Sequence, residues 1–260
     1  MNYLEEYYVG YDEEGRLASP HGRVEYITTQ KYIHECLALS GGRRVLEIGA
    51  GTGRYSVALS REGLDVTAVE LLEHNLAILK SKLDDTTPLR ALQGNALDLG
   101  FLPSESFDVT LLLGPMYHLY TRGEQQTALA EAVRVTRPGG YILTAYCMNE
   151  PTVVSYVFRR GRLREVLDEN MLTEDWHCIS QPKDLFALIR TEEIAALDAA
   201  VPAERVKLVA TDGATRYMDD IIDAMDEQTY AKWIEYHLSV CERPDLIGAS
   251  HHTLDVLRKL

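Results

Sequence analysis

Two acids and three glycines define the chemistry this chain could do. Glu47 stands two residues before Gly49, Gly51 and Gly53 follow at alternate positions, and Glu70 closes an apolar run that begins at Asp65. Glycine lets the backbone turn tightly and come close to a ligand. A helix opening after such a turn offers unpaired N–H groups. A carboxylate at the end of the following strand can accept both hydroxyls of a ribose diol. This is the layout of a nucleoside pocket. Two further side chains stand after later apolar runs. Asn95 carries an amide that can both donate and accept. His118, neutral near pH 7, could be a general base for an acceptor hydroxyl or amine, or a structural histidine packing over the ligand.

Alternating strands and helices must hold these groups. The pattern predicts a helix over 24–39 stopping at Gly41 and Gly42, then strand 44–48, helix 55–61, strand 65–70, helix 73–83, strand 89–93, strand 107–113, helix 123–135, a turn at 137–140 and strand 141–146. Runs that are apolar at nearly every position, such as 109–113, read as strands buried on both faces of a parallel sheet. Such alternation makes right-handed βαβ units, whose ligands sit at the carboxyl edge of the sheet. After 146 the alternation fails. Residues 149–204 read as helices and loops, 206–210 as a short strand, 217–240 as one helix with an acidic side, and 253–257 as a terminal strand. Residues 1–22 read as an irregular arm whose tyrosines could wall a pocket.

Glu47 and the triple-glycine spacing resemble motif I of the class I S-adenosylmethionine-dependent methyltransferases, usually written E/D-x-G-x-G-x-G. The dinucleotide fingerprint would need a glycine where Arg54 stands. Residues 107–119 resemble motif IV of small-molecule methyltransferases. Their nearest form is the branch that includes enzymes of ubiquinone and menaquinone biosynthesis, with Met116 in place of a usual leucine. The resemblance covers roughly 44–146. It implies an α/β, Rossmann-like, seven-stranded and mostly parallel sheet with helices on both faces, an antiparallel last strand, and a helical cap inserted after the fifth strand over the substrate pocket. The whole of 1–260 is then one methyltransferase domain, with 1–40 as an N-terminal arm and helix. The cofactor is S-adenosyl-L-methionine, leaving as S-adenosyl-L-homocysteine. Glu47 anchors its ammonium group, and Gly49, Ala50, Gly51 and Gly53 supply backbone contact. Thr52, Tyr55, Leu113 and Gly114 line the methionine part, Glu70 takes the ribose, and Leu71, Asn75, Asn95 and Ala96 surround the adenine. Tyr26, Tyr117 and His118 are the substrate-pocket candidates.

The bulk of the chain bounds its partners. A formal net charge of -14 over 260 residues repels phosphate backbones, which argues against nucleic acid. Arg159, Arg160, Arg162 and Arg164 are followed by Glu165, Asp168 and Glu169 and read as a solvated helix face. Cys36, Cys147, Cys178 and Cys241 form no metal or disulfide spacing, and no run is long enough for a membrane span. The expectation is a cytoplasmic enzyme with a small-molecule acceptor and no metal, His251 and His252 being surface or packing residues. An NAD-dependent oxidoreductase and a non-catalytic S-adenosylmethionine-binding regulator stay open as alternatives. Acceptor identity and the choice between monomer and homodimer are not legible.

Overall fold

In β1 (Arg44–Ile48), Val45 packs with Val66, Val109, Leu111 and Leu143, whereas Leu46 and Ile48 pack with Leu112, Ala128, Leu129 and Ile142. Side chains alternate along a strand, so a run that is apolar throughout needs cover on both faces. Helices Pro20–Ser40 and Arg54–Arg61 cover one face with Tyr32, Ile33, Leu37 and Leu59. Helices Arg122–Val135 and Thr191–Asp198 cover the other with Leu129, Ala132, Ile194 and Leu197. Each such aliphatic side chain, fully buried, contributes about 1.5–3 kcal/mol. The computed structural model describes residues 3–11, 13–84 and 87–260. Positions 1, 2 and 12 of the expected arm lie outside the described residues.

The other strands are β2 (Asp65–Glu70), β3 (Leu89–Gln93), β4 (Phe107–Leu112), β5 (Thr136–Met148), β6 (Leu188–Ile189), β7 (Ala203–Ala210) and β8 (His252–Lys259). They form one eight-stranded sheet in the order β3-β2-β1-β4-β5-β8-β7, with β6 beside the end of β5. β1 to β5 pair in parallel, and β8 runs antiparallel between β5 and β7. This is the expected Rossmann-like sheet with one short strand added. The order reverses at β1 and β4, so the groups at their carboxyl ends converge on one crevice. Asp108 acts at the opposite edge. Its carboxylate accepts from the Arg43 and Arg44 amides and from the Arg137 guanidinium, pinning the starts of β1 and β4 together.

Four local readings need correction. The arm is helical over Tyr3–Gly10 and Glu13–Arg16, because it packs on other parts of the chain rather than standing alone. The turn at 137–140 lies inside β5 as a bulge: Phe107 pairs with Thr136 but Val109 pairs with Tyr141, and Gly139 takes φ 73°. The single helix expected over 217–240 is broken. Helix Asp219–Asp223 ends, and Asp226 caps a new helix, Glu227–Val240, by accepting from the Thr229 amide. The insertion after β5 is not all cap, since β6 and helix Thr191–Asp198 return to the main core.

Candidate active site

The turn after β1 is held to the end of β2. The amides of Gly49 and Ala50 both donate to the Val69 carbonyl, at 2.8 and 3.1 Å. Gly49, Gly51 and Gly53 all take positive φ, at 74°, 55° and 87°. The three do different work. Gly49 admits the Pro115 ring, which a Cβ would meet at 2.6 Å. Gly51 gives its amide to Glu70 at 2.7 Å. Gly53 admits Leu79, 2.8 Å from where its Cβ would stand, so helices Arg54–Arg61 and Glu73–Ser81 can close. Gly53 therefore plays the close-packing part that a dinucleotide fold assigns one position later, and it is not among the residues lining the cavity.

That cavity, of about 310 Å³, lies over the turn, near the lower end of the range for small-molecule sites. Glu47, Gly49, Ala50, Gly51, Thr52, Tyr55, Glu70, Leu71, Asn75, Asn95, Ala96, Leu113, Gly114, Tyr117 and His118 all line it. Tyr26 does not. It stacks behind Tyr55 with ring centroids 5.1 Å apart and carries the Arg54 guanidinium on its ring. The arm brings Leu4, Tyr8, Arg16 and Leu17 to the cavity, and the insertion brings Pro182. Of these only the arm tyrosines had a signal in the sequence.

Two buried carboxylates face this space. Glu47 accepts from the amide and the hydroxyl of Ser56, in the first turn of the helix that follows the glycines. Burial pushes its carboxyl up to about 8; the Ser56 bonds oppose that, and the charge of Glu70 adds to it. Glu70 accepts from the Leu72 amide on one oxygen and the Gly51 amide on the other, at 2.8 and 2.7 Å. Its carboxyl is also raised, by burial acting against those backbone bonds. The Asn75 side chain also donates to it. Asn95 accepts from the Leu97 amide, which fixes the loop after β3.

His118 has both ring nitrogens engaged. Nδ1 lies 2.8 Å from the Leu185 carbonyl and Nε2 lies 3.0 Å from the Tyr8 hydroxyl. A carbonyl only accepts, so Nδ1 carries the proton, Nε2 is the lone-pair nitrogen and Tyr8 donates to it. Burial lowers the imidazole to about 4, with the Leu185 carbonyl opposing. The ring sits among Tyr8, Tyr117 and Phe186.

His251 and His252 are not surface residues. His252 donates from Nδ1 to Asp212 at 2.7 Å and lies 3.5 Å from Glu25, which pairs with Arg16. Burial lowers the His252 imidazole, but Glu25 and Asp212 more than offset this and leave it well above its ordinary range. Glu25, Asp212 and His252 each bring one ligand atom within 4.8 Å of the others. His251 bonds Ser155. Of the arginine group, Arg159 pairs with Asp219 and Arg162 with Glu165, both half-exposed.

Residues 46–144 match the family described as "Methyltransferase domain". The match covers the glycine turn and strands β1 to β4. An uncharacterized methyltransferase of Mycobacterium tuberculosis strain H37Rv is 32% identical over 132 residues, 51% of this chain and 47% of that protein. A demethylmenaquinone methyltransferase of Renibacterium salmoninarum is 36% identical over 116 residues, 45% of this chain and 46% of its own. The chain thus spans about half the length of these curated relatives. Among solved structures, an S-adenosylmethionine-dependent methyltransferase of Thermotoga maritima, titled a possible histamine N-methyltransferase, aligns over 99% of this chain and 100% of its own with a TM-score of 0.55 at 19% identity. At that identity the likeness speaks for the fold alone. The matched segment contains both carboxylates and the glycine turn, while the arm lies outside it.

Proposed function

We propose that this chain transfers a methyl group from S-adenosylmethionine to an O, N or C atom of a small molecule. The observation that carries the reading is the pair of buried carboxylates, Glu47 and Glu70, facing one cavity above a glycine turn. Two ionised carboxylates here would repel each other, and a cationic ligand offsets that repulsion while its diol meets Glu70. A dinucleotide pyrophosphate brings negative charge to the same place, which weighs against the NAD reading. Glu47 would hold the ammonium end, Glu70 the ribose, and Leu71, Leu72, Asn75, Asn95 and Ala96 the adenine. When bound, the cofactor supplies a methyl carbon made electrophilic by a sulfonium. The protein's part is to hold the acceptor in line and exclude water. Leu4, Tyr8, Leu17, Tyr117, Tyr120 and Pro182 give that space its largely apolar and aromatic wall. No helix among the described residues is long and apolar enough to cross a membrane. Calorimetry with S-adenosylhomocysteine and with NAD tests the reading. The homocysteine product should bind and NAD should not; the reverse would replace the reading with an oxidoreductase. Binding with no turnover on any acceptor would favour a regulator.

Glu47 makes that binding pH-dependent. With its carboxyl near 8 in the free protein, Glu47 holds a proton at pH 7, and a ligand ammonium favours the ionised form. Binding should therefore release close to one proton at pH 7. Affinity should climb by up to about tenfold per pH unit from 6 towards 8, then flatten as Glu47 loses its proton in the free protein. Titrations in buffers of different ionisation enthalpy read the proton directly. Glu47→Gln should remove both the release and the slope; a slope that survives in Glu47→Gln assigns the titration elsewhere.

His118 is proposed as the base, acting with Tyr8 on its lone-pair nitrogen. His118→Ala should leave S-adenosylhomocysteine affinity within a few-fold, because Leu113 and Gly114 reach the cavity through the chain. With an acceptor in hand, turnover should fall by roughly 10²–10⁴, and the loss should shrink as pH rises for an acceptor that ionises unaided. A loss below about tenfold at every pH would make His118 a wall residue, leaving catalysis to proximity and desolvation.

A further inference from the structure

The ligand proposed for the cavity over the glycine turn is a zwitterion at its amino-acid end. Glu47 would meet the ammonium, and the α-carboxylate on the same carbon needs a partner of its own. A carboxylate moved from water into a largely apolar space is costly unless it is paired. Two permanently cationic side chains line the cavity, Arg16 of the arm and Arg54. Arg54 is committed to the wall behind Tyr55. Its guanidinium lies 4.8 Å over the Tyr26 ring and donates to the Leu17 carbonyl. Arg16 is anchored through Nη1, which donates to both Glu25 oxygens, at 3.1 and 2.9 Å. A guanidinium is a planar fork of five N–H donors, so one side chain can hold one carboxylate and bind a second. Glu25 does not neutralise Arg16 alone, since it also lies 3.5 Å from His252 and in the field of Arg216. The Arg16 side chain is 21% exposed, so a ligand can reach it. Tyr55 fixes where this cation stands. Tyr55 lines the cavity, and its hydroxyl feels Arg16 and Glu47 with opposite signs. The acid for the ammonium and the cation thus flank one side chain, in the first turn of helix Arg54–Arg61. An ammonium and a carboxylate on one carbon require that placement.

We propose that Arg16 binds the α-carboxylate of the ligand's amino-acid end, with Glu25 as the positioning residue that holds its guanidinium. The inference rests on the reading that this cavity takes S-adenosylmethionine. It adds that the arm, outside the segment matched to the methyltransferase family, recognises the cofactor. A guanidinium matches a carboxylate through two parallel N–H bonds, which a lysine ammonium cannot do. Leu17, next in the chain, is buried and lines the same cavity, so the Arg16 backbone is fixed on its wall.

The test is calorimetric titration of the full chain with S-adenosylhomocysteine and with its decarboxylated form, which keeps the amine and lacks only the carboxylate. The unaltered chain should prefer S-adenosylhomocysteine by roughly 10- to 100-fold, the scale of a hydrogen bond to a charged group. Arg16→Gln should bring the two ligands within about threefold of each other. It should do so by weakening S-adenosylhomocysteine, while affinity for the decarboxylated ligand holds within about threefold. Arg16→Lys restores the charge without the fork and should recover part of the preference. Equal binding of the two ligands by the unaltered chain would overturn the proposal, and so would a full preference that persists in Arg16→Gln. Arg54→Gln makes the same charge change on the other cation. A preference lost there and kept in Arg16→Gln would move the carboxylate to Arg54 and sink the assignment. If circular dichroism shows that Arg16→Gln does not fold, Arg16→Lys decides, because it can still pair with Glu25; an undiminished preference in that variant rules Arg16 out. Failure of the unaltered chain to bind either ligand is a separate result, which removes the cofactor reading itself and this inference with it.

Discussion

Gly51→Val should abolish measurable binding of S-adenosylhomocysteine while the chain stays folded. Gly51 sits at φ 55° in the middle of the turn, and its amide is one of two that hold the Glu70 carboxylate. A side chain in the left-handed region costs about 1–2 kcal/mol, more when it is β-branched. Relaxing that strain rotates the amide away from Glu70 and leaves a buried carboxylate oxygen short of a donor, about 1–3 kcal/mol further. Together these amount to roughly 2–5 kcal/mol of the bound geometry, or about one and a half to three and a half decades in affinity. The added methyls also stand where backbone and ligand meet. The sheet does not depend on this residue, since Gly49 and Ala50 tie the turn to Val69. Gly51→Ala is the graded control, with the conformational strain and less bulk, and its affinity should fall between the two. Near-normal calorimetry for Gly51→Val would mean that the turn is structural and that the ligand sits elsewhere.

The parts of this site that could be read from the sequence are those whose cause is local. The triple-glycine turn, Glu70 at a strand end and the strand 89–93 all follow from residues within one βα unit, where period and turn chemistry act over a few positions. What escaped is what distant packing brings together. Tyr8 and His118 are 110 positions apart and meet only because the arm folds as a helix over the cavity. Glu25, Asp212 and His252 form one ion-pair group around the buried Asp212, yet no spacing in the chain announces it. Tyr26 looked like a pocket residue because it is aromatic and precedes the main fold, but helix Pro20–Ser40 turns it onto Tyr55 instead. Gly53 shows a finer limit. Its position within the motif was legible, whereas its task of admitting Leu79 depends on a helix about twenty-five residues further on.

Glu70→Ala should weaken S-adenosylhomocysteine binding by roughly 1.5–3 kcal/mol, the scale for losing a charged acceptor. Glu70 is buried at the end of β2, and both of its oxygens are already held by backbone amides, Gly51 on one and Leu72 on the other. Those bonds set the carboxylate before a ligand arrives, so little ordering is needed when a diol reaches it. They also make the substitution a double loss, because the Gly51 and Leu72 amides lose their acceptor along with the ribose. Glu70→Gln separates the two effects. Its amide oxygen can still accept from one backbone N–H, but its NH₂ faces the other donor, so affinity should recover only in part. The fold should survive in both variants, since β2 stays paired with β1 and β3 through its backbone. There is an opposing effect. Removing Glu70 takes away a negative charge that raises the Glu47 carboxyl, so in Glu70→Ala the pH at which binding levels off should move below about 8. A drop in affinity accompanied by that shift ties both carboxylates to one ligand. Unchanged affinity would remove Glu70 from the site, and a drop with no shift would mean that the two acids do not share it.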